Sequence, residues 1–251
     1  MVIDCNGLFG AWGIRTKGIK DPARYVASMD SHGVDKTVIV SLDAMCDYTV
    51  RGNSETIAAC AAHPDRLLGL CVVNPATDMT DPMAELDRCA EAGAVGLRLS
   101  PAHGYAYSQV GLTAGLMARA WDLGWPVWLS LTVVPSTPHG AQTPQVAAGL
   151  IATHPDIPFI VTGVGYGNRM DAVRALRDLP NAYIEISHLH TPFGLERMCE
   201  DIGVDRILLG TAFAIFYHAI PLGKIAHSDL SEDERAKVLG GNMARLLKLE
   251  G

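Results

Sequence analysis

The sequence lacks the features that would assign it quickly to several classes of protein. Its six cysteines form no CxxC pair, no run of 18 or more residues is apolar throughout, and basic residues do not cluster. These absences argue against a disulfide scaffold, a membrane span and a nucleic-acid or anionic-membrane surface. The excess of 27 acidic over 20 basic residues, a formal charge of −7, agrees with this. We therefore expect a small-molecule partner.

Two further motifs are missing, and the N-terminus carries no basic flank with a cleavage site. The stretch TGVGYG, residues 162–167, has no nucleophile at its centre, so it is not a nucleophile elbow. The stretch NGLFG, residues 6–10, is a poor match to the GxGxxG loop of dinucleotide-binding folds. The lack of a signal peptide leads us to expect a cytoplasmic location.

Short apolar strands alternate with longer helical patterns along the whole chain of 251 residues. Such alternation is typical of β/α units around a parallel sheet. About eight units in one domain fit an α/β fold of the (β/α)8 TIM-barrel type over residues 1–251, with an extra C-terminal helix that starts at a capping box, Ser231 to Glu234. The predicted strands are 2–5, 36–42, 67–73, 94–99, 127–133, 159–162, 182–187 and 206–210. The predicted helices between them are 22–32, 54–63, 82–92, 112–123, 144–154, 170–178, 192–202 and 215–227.

Polar residues at the predicted strand ends form the candidate site, since function in such barrels lies at the C-terminal ends of the strands. The candidate catalytic residues are Asp4, Asp43, His188 and Tyr166, and the candidate substrate-binding residues are Asn6, Arg98, His103, Ser130 and Asn74. Each also has a structural interpretation, because small polar residues at strand ends often satisfy the backbone of the following loop.

Arg98 is the most specific of these candidates, because it lies within the apolar strand VGLRL at 95–99. A charged group there must face the barrel mouth or be paired if it is buried. One interpretation is bidentate binding of a substrate carboxylate. The other is an internal salt bridge to an inward-facing acid such as Asp4 or Asp43.

His188 and His190 form the only histidine pair with metal-ligand spacing, in the stretch SHLH at 187–190. Alternating histidines at a strand end can point the same way and bind a divalent metal ion. No acidic partner accompanies them at ligand spacing, however. A metal-free general acid/base role for His188 is at least as well supported, because imidazole titrates near neutral pH.

Six segments together resemble the amidohydrolase-related family, the amidohydrolase-2 group of metal-dependent TIM-barrel hydrolases. In order they are VIDCNGLFG, HGVDKTVIV, HPDRLLGLCVVNP, EAGAVGLRLSP, DRILLGTAF and KVLGGNMARLLKL. The resemblance implies a (β/α)8 barrel and hydrolysis or decarboxylation with a divalent metal ion. Within the family it is closest to a subgroup with Asn6 to Gly10 at the first strand end and Ser41 to Ala44 at the second.

The metal ligands that the resemblance implies are missing from this chain. Asn6 and Leu8 stand at the two histidine positions of the first-strand Asp-x-His-x-His motif. Ser130 stands at the fifth-strand histidine, Gly163 or a neighbour at the sixth, and Ala212 at the aspartate after the eighth strand. Leucine and alanine cannot coordinate zinc, and asparagine and serine are poor substitutes for imidazole.

The sequence therefore supports two main hypotheses. The first is a metal-independent hydrolase or lyase, without a cofactor, that acts on a small polar carboxylated substrate. The second is a non-catalytic barrel that binds a ligand or serves as the partner subunit of a metal-bearing paralogue. A relocated metal centre at His188 and His190 is a weaker third hypothesis, and a homo-oligomer is compatible with all of them.

Overall fold

The strands of the computed structural model form one curved sheet that returns to its first strand. The structure describes residues 1–12, 18–76, 81–100, 102, 104–132 and 142–249. Nine strands lie in these residues: β1 Ile3–Ala11, β2 Gly18–Ile19, β3 Lys36–Ser41, β4 Leu67–Val72, β5 Gly96–Leu99, β6 Val127–Ser130, β7 Phe159–Thr162, β8 Ala182–Glu185 and β9 Ile207–Leu208. Their order in the sheet is β2-β1-β3-β4-β5-β6-β7-β8-β9, and all neighbours are parallel except the pair β2 and β1.

Backbone hydrogen bonds close this sheet into a barrel between β1 and the segment that follows β9. The amide of Cys5 donates to the carbonyl of Leu209 at 2.9 Å, and the amide of Ala212 donates to the carbonyl of Asn6 at 2.8 Å. Neither edge of the parallel sheet is therefore left open here, which removes a row of unpaired backbone groups. The predicted (β/α)8 barrel is confirmed.

Helices cover the outside of the sheet. Three of them begin at the predicted residues 22, 82 and 144, whereas the helix predicted from residue 54 begins at 49 and the one predicted from 215 begins at 219. The helices are α1 Pro22–Ser31, α2 Leu42–Cys46, α3 Thr49–Ala62, α4 Pro82–Glu91, α5 Val110–Asp122, α6 Pro144–Ala152, α7 Arg169–Leu176, α8 Gly194–Ile202, α9 Ala219–Ala226, α10 Glu232–Ala236 and α11 Asn242–Leu247. Asp21, Asp81 and Thr143 cap α1, α4 and α6, and a proline follows each as the first helical residue. A capping side chain satisfies a free backbone donor, and proline has no donor to lose.

The extra C-terminal helix is confirmed, with its predicted capping box between Ser231 and Glu234. A π-helical turn at Lys237–Gly241 joins α10 to α11. Nδ2 of Asn242 donates to the carbonyls of Val204 and Ile207 at 2.8 and 2.9 Å, which holds this helix against the start of β9.

One apolar layer lies on each side of the sheet. The inner layer fills the barrel with side chains that include Cys5, Val72, Trp128 and Ile160. The outer layer packs the opposite faces of the strands against the helices. Nε1 of Trp128 donates to the carbonyl of Cys5 at 2.8 Å, so the buried indole N–H has a hydrogen-bond acceptor. Among the described residues, no helix has the length and apolar character needed to cross a membrane.

The first strand differs from its predicted form. It runs from Ile3 to Ala11 instead of ending near residue 5, and its last residues pair with β2. A Cβ atom on Gly7 would clash with Thr37 and Tyr25, so glycine is needed where the strand passes close to α1. A β-bulge between Asp4 and Gly7 shifts the register against β3, which brings Asn6 to the inside of the barrel.

Candidate active site

A buried guanidinium group lies inside the barrel, towards the C-terminal ends of the strands. Arg98 on β5 is 2% exposed, and it donates from Nη1 to Oδ1 of Asn6 at 2.8 Å, from Nε to Oγ of Ser130 at 3.0 Å and from Nη2 to Oγ1 of Thr162 at 3.3 Å. Burial lowers the pKa of Arg98 to about 10, so the group stays positively charged at neutral pH.

These contacts test the salt-bridge interpretation of Arg98. The partners of the guanidinium are neutral side chains, and the hydrogen bonds of Asp4 and Asp43 go to other residues. An internal salt bridge to either aspartate is therefore wrong. Guanidinium has five N–H donors. Described residues take three of them, so one N–H on each Nη remains for an anionic ligand.

A chain of polar contacts connects Arg98 to a buried acid and an imidazole. Nδ2 of Asn6 donates to Oγ of Ser187 at 3.4 Å, and Oγ of Ser187 donates to Oε1 of Glu185 at 2.9 Å. Nδ1 of His188 lies 2.8 Å from the same Oγ. We call these five residues, Arg98, Asn6, Ser187, Glu185 and His188, the polar network. It joins a cation, an anion and a titratable ring inside the barrel.

His188 is the member of the network that can transfer a proton. It is 6% exposed, and its ring meets the ring of Phe216 edge-on at 5.2 Å. Burial lowers the pKa of His188 below its usual value, so the ring is neutral at neutral pH. Within the described part of the chain, its Nε2 has no hydrogen-bond partner. This atom is therefore available to a ligand.

A cavity of about 350 Å³ lies beside His188 at the ends of β6, β7 and β8. Its lining includes Thr132, Gly163, Tyr166, Asn168, His188 and His190. Tyr166 is 79% exposed at its edge. His188 is the member of the polar network that lines this cavity, in which a small molecule can be held.

The carboxylate of Asp4 contacts backbone and the side chain of Thr211, and none of the side chains of the polar network. It accepts from the backbone amides of Asn6 and Thr211, both at 3.0 Å, and from the hydroxyl of Thr211. His218 Nδ1 lies 3.9 Å from Oδ2. Burial raises the pKa of Asp4 to about 6 and lowers that of His218 to about 4. His218 is therefore uncharged at neutral pH, and the two side chains do not form an ion pair.

The other predicted site residues are not brought together with Arg98. Asp43 accepts from Nε and Nη2 of Arg51, both at 2.5 Å, on the helix that follows β3. Oδ1 of Asn74 accepts from the amide of Ala76 at 3.0 Å, as in an Asx turn. His103 lies outside the described residues. Of the nine predicted site residues, Asn6, Arg98, Ser130 and His188 are joined by side-chain contacts to one another or to the polar network, and Asp4 contacts the network through the backbone amide of Asn6.

The residues present do not fit the divalent metal ion that the family resemblance implies. Asn6 and Ser130, at two ligand positions, already accept hydrogen bonds from Arg98. Leu8 and Ala212, at two others, have no ligating atom in their side chains. In the described ranges, no three His, Cys, Asp or Glu residues are grouped so as to hold a metal, and this includes the surroundings of His188 and His190.

Sequence reasoning missed Glu185 and Thr162. Glu185 is an acid within the apolar strand AYIEI, which is the same signal that identified Arg98. It is fully buried, and its carboxylate accepts from the amides of Gly163 and Ser187 at 3.2 and 2.7 Å. Thr162 ends β7 next to the glycine-rich stretch, and its hydroxyl contacts both Arg98 and Ser130.

Comparison with known proteins agrees with the observed architecture. The family model described as Amidohydrolase matches residues 19–249. Among solved structures, the chain is similar to 5-carboxyvanillate decarboxylase from Sphingomonas paucimobilis, with a TM-score of 0.78, 15% identity and coverage of 99% of each chain.

Two other structures show the same fold over nearly their whole length. A 4-oxalomesaconate hydratase from Rhodopseudomonas palustris has a TM-score of 0.74 and 17% identity, covering 99% of this chain and 96% of that one. A dihydroxybenzoic acid decarboxylase from Polaromonas sp. JS666, solved with bound manganese, has a TM-score of 0.72 and 18% identity, covering 99% and 97%. At these identities the likeness concerns the fold.

Proposed function

Because the chain belongs to the amidohydrolase family, we propose that it is a lyase or hydrolase that acts on a small carboxylated substrate without a bound metal ion. The observation that carries this proposal is the buried guanidinium of Arg98, fixed by Asn6, Ser130 and Thr162. A cation held in this way provides the positive charge that carboxylate recognition needs, and planar guanidinium suits a carboxylate in particular.

Arg98 binds an anionic oxygen of the substrate through its two remaining N–H donors. As a carbon–carbon or carbon–oxygen bond breaks, negative charge grows on the substrate, and a fixed guanidinium in a buried site stabilises that charge. The surrounding residues need little rearrangement, since Asn6 and Ser130 already hold the group in place. Both decarboxylation and hydrolysis use such stabilisation.

His188 transfers the proton in this proposal. Its neutral ring at neutral pH allows Nε2 to take a proton from water in a hydrolysis, or from a substrate hydroxyl. The charged form can return that proton to carbon or to a leaving group. The names of two structurally similar proteins, a decarboxylase and a hydratase, support a lyase, and that of a third, a probable 2-pyrone-4,6-dicarboxylic acid hydrolase, supports a hydrolase.

The test is a turnover screen with chelator-treated protein. A panel of aliphatic and aromatic carboxylates, hydroxy acids and lactones is incubated with the protein, and products of carbon dioxide loss, water addition and hydrolysis are followed by mass spectrometry. We expect turnover of at least one carboxylated compound, with kcat/KM about 10²-fold to 10⁴-fold lower in His188→Gln and Arg98→Met.

Two results would contradict the proposal. If both variants keep the wild-type kcat/KM, the catalytic assignment fails. If the protein binds carboxylates but converts none of them, it is a ligand-binding barrel, as in the second sequence-based hypothesis. Ser228→Ala, which removes a buried hydroxyl that donates to the carbonyl of Ile225 and to no member of the polar network, is the control for unspecific loss of activity.

A further inference from the structure

The hydroxyl of Ser187 joins three buried side chains. Its Oγ lies 2.9 Å from Oε1 of Glu185, 2.8 Å from Nδ1 of His188 and 3.4 Å from Nδ2 of Asn6. All four residues are at most 6% exposed. A buried hydroxyl with three polar neighbours has a single hydrogen to give, so its orientation is fixed by which neighbour can only accept.

The chemistry of the neighbours settles the direction of each hydrogen bond. The carboxylate of Glu185 can only accept, so the Ser187 hydroxyl donates to it. Oγ must then accept from His188, which requires a hydrogen on Nδ1. In a neutral imidazole only one nitrogen carries hydrogen, so Nε2 has a free lone pair.

The carboxylate of Glu185 is itself held firmly. Its Oε1 accepts from the amide of Gly163 at 3.2 Å, and its Oε2 accepts from the amide of Ser187 at 2.7 Å. A Cβ atom on residue 210 would clash with this carboxylate, and the residue there is Gly210. The acid is therefore fixed by backbone donors on two sides, and the backbone leaves room for it.

We propose that Glu185 and Ser187 are positioning residues that hold His188 as the Nδ1–H tautomer and so make Nε2 the atom that exchanges protons with the substrate. The inference rests on the proposed function, in which His188 transfers the proton. It assigns roles to a hydroxyl and an acid that do not line the cavity beside His188. Without them, the neutral ring would populate both tautomers, and one of these presents N–H where a base is needed.

The charged and titratable groups around His188 determine its response to pH. They are Glu185 on β8, Arg98 on β5, Lys224 on α9 and the neighbouring His190. Burial, Arg98, Lys224 and His190 all lower the pKa of His188, and Glu185 is the group that raises it. Glu185→Gln should therefore lower the pKa of His188 further and move the acid limb of a kcat/KM profile to lower pH.

The direct test is nitrogen NMR of the full-length protein labelled with ¹⁵N-histidine, recorded at pH 8. Two-dimensional spectra that correlate ring protons with ring nitrogens distinguish the two tautomers, and His188→Gln identifies the signals of His188. We expect the Nδ1–H tautomer in the wild type and a mixture in Ser187→Ala. We also expect kcat to fall about 10²-fold in Ser187→Ala while KM changes by less than about threefold.

Matched controls separate positioning from general damage. Ser228→Ala also removes a buried hydroxyl, and Glu85→Gln neutralises another buried acid, which bonds Asn53 and Arg88. Neither should change the His188 signals. An Nε2–H tautomer in the wild type, or an unchanged tautomer in Ser187→Ala, would overturn the inference. If Ser187→Ala fails to fold, an Nε2–H tautomer in the wild-type spectrum still overturns the inference, and Glu185→Gln provides a second variant in which a mixture of tautomers is expected.

The outcomes also distinguish this inference from the proposed function. The Nδ1–H tautomer in a protein that converts no carboxylate would contradict the proposed function and with it the catalytic use of the tautomer. Turnover by a protein whose His188 is in the other tautomer would contradict the positioning role alone.

Discussion

Nη1 of Arg98 donates to Oδ1 of Asn6 at 2.8 Å, and this bond places a cation against a position where the family resemblance implies a metal-binding histidine. Ser130, at a second such position, accepts from Nε of the same group at 3.0 Å. Asn6, Ser130 and Arg98 therefore form one hydrogen-bonded unit. Asparagine and serine are poor metal ligands, but both have oxygen atoms that accept hydrogen bonds from guanidinium.

Replacing Arg98 should weaken carboxylate binding, and the loss should be larger when the charge is removed together with the N–H donors of the guanidinium. Arg98→Lys keeps a charge but cannot contact Asn6, Ser130 and Thr162 together, so we expect about 10-fold weaker binding. Arg98→Met removes the charge, and we expect about 100-fold weaker binding. Isothermal titration calorimetry with the best carboxylate of the substrate panel measures both values.

A small-molecule rescue strengthens this test. Arg98→Ala leaves a space in which added methylguanidinium can replace the lost group, so we expect binding to recover partly with methylguanidinium and less with methylammonium. Wild-type affinity in Arg98→Met would show that the guanidinium does not contact the ligand.

Removal of divalent metals should leave the protein unchanged. A metal that binds the folded state raises the melting temperature with its concentration, because it stabilises the native state alone. We expect melting temperatures within about 1 °C before and after chelation, and again after addition of Mn²⁺ or Zn²⁺. A rise of several degrees that disappears in the double variant His188→Gln and His190→Gln would instead support the relocated metal centre.

Asp43→Asn should have little effect on either activity or stability. Its carboxylate binds Arg51, whose side chain is 59% exposed, and exposed ion pairs contribute about 0–1 kcal/mol to stability. Urea unfolding should show a loss of at most about 1 kcal/mol, with kcat/KM within about twofold of the wild type. A 100-fold loss of kcat would return Asp43 to the catalytic residues.

His218→Phe should make the protein less sensitive to acid. Burial holds the pKa of His218 near 4, below its usual value of 6.5. Between these two values the unfolded chain binds a proton that the folded chain does not, so the free energy of unfolding falls on acidification by up to about 3 kcal/mol. Phenylalanine can keep the stack on Phe213, whose ring lies 4.0 Å away, without this loss.

Protonation of Asp4 changes the free energy of unfolding in the opposite direction, over an overlapping range of pH. The pKa of Asp4 is raised from 3.8 to about 6, so the folded chain takes up this proton first, and stability rises as pH falls through that interval. As the pH falls from 6.5 to 5, the free energy of unfolding of His218→Phe should therefore rise. Urea unfolding at several pH values measures this change. The exposed His227, changed to Gln, should retain the wild-type profile, and an unchanged profile in His218→Phe would contradict the prediction.

The sequence was most informative where the structure depends on local patterns. The start of α4 follows from Asp81 and the proline after it, and the start of the C-terminal helix follows from Ser231 and Glu234. These signals involve residues within one helical turn of each other. Local patterns do not predict the site, because the contact between Asn6 and Arg98 joins residues 92 positions apart.

The position of Asp4 relative to Arg98 could not be predicted from the sequence. Alternation along a strand predicts which side chains share a face only while the register is regular. The bulge between Asp4 and Gly7 changes the register, and β1 continues to Ala11, so Asn6 faces the barrel interior with Arg98 while Asp4 contacts Thr211. A bulge depends on packing against the neighbouring strand and helix, which the sequence of β1 alone does not contain.

By itself, the sequence determined the barrel and the loss of the metal ligands. The barrel follows from the spacing of apolar residues in each segment, and the loss of the ligands follows from side-chain chemistry at the positions that the family resemblance implies. Only the tertiary structure decided that Arg98 contacts neutral side chains and that Ser187 joins Glu185 to His188. Closure of the barrel brings together strand ends from distant parts of the chain, and the partner of a buried polar group is decided by that closure.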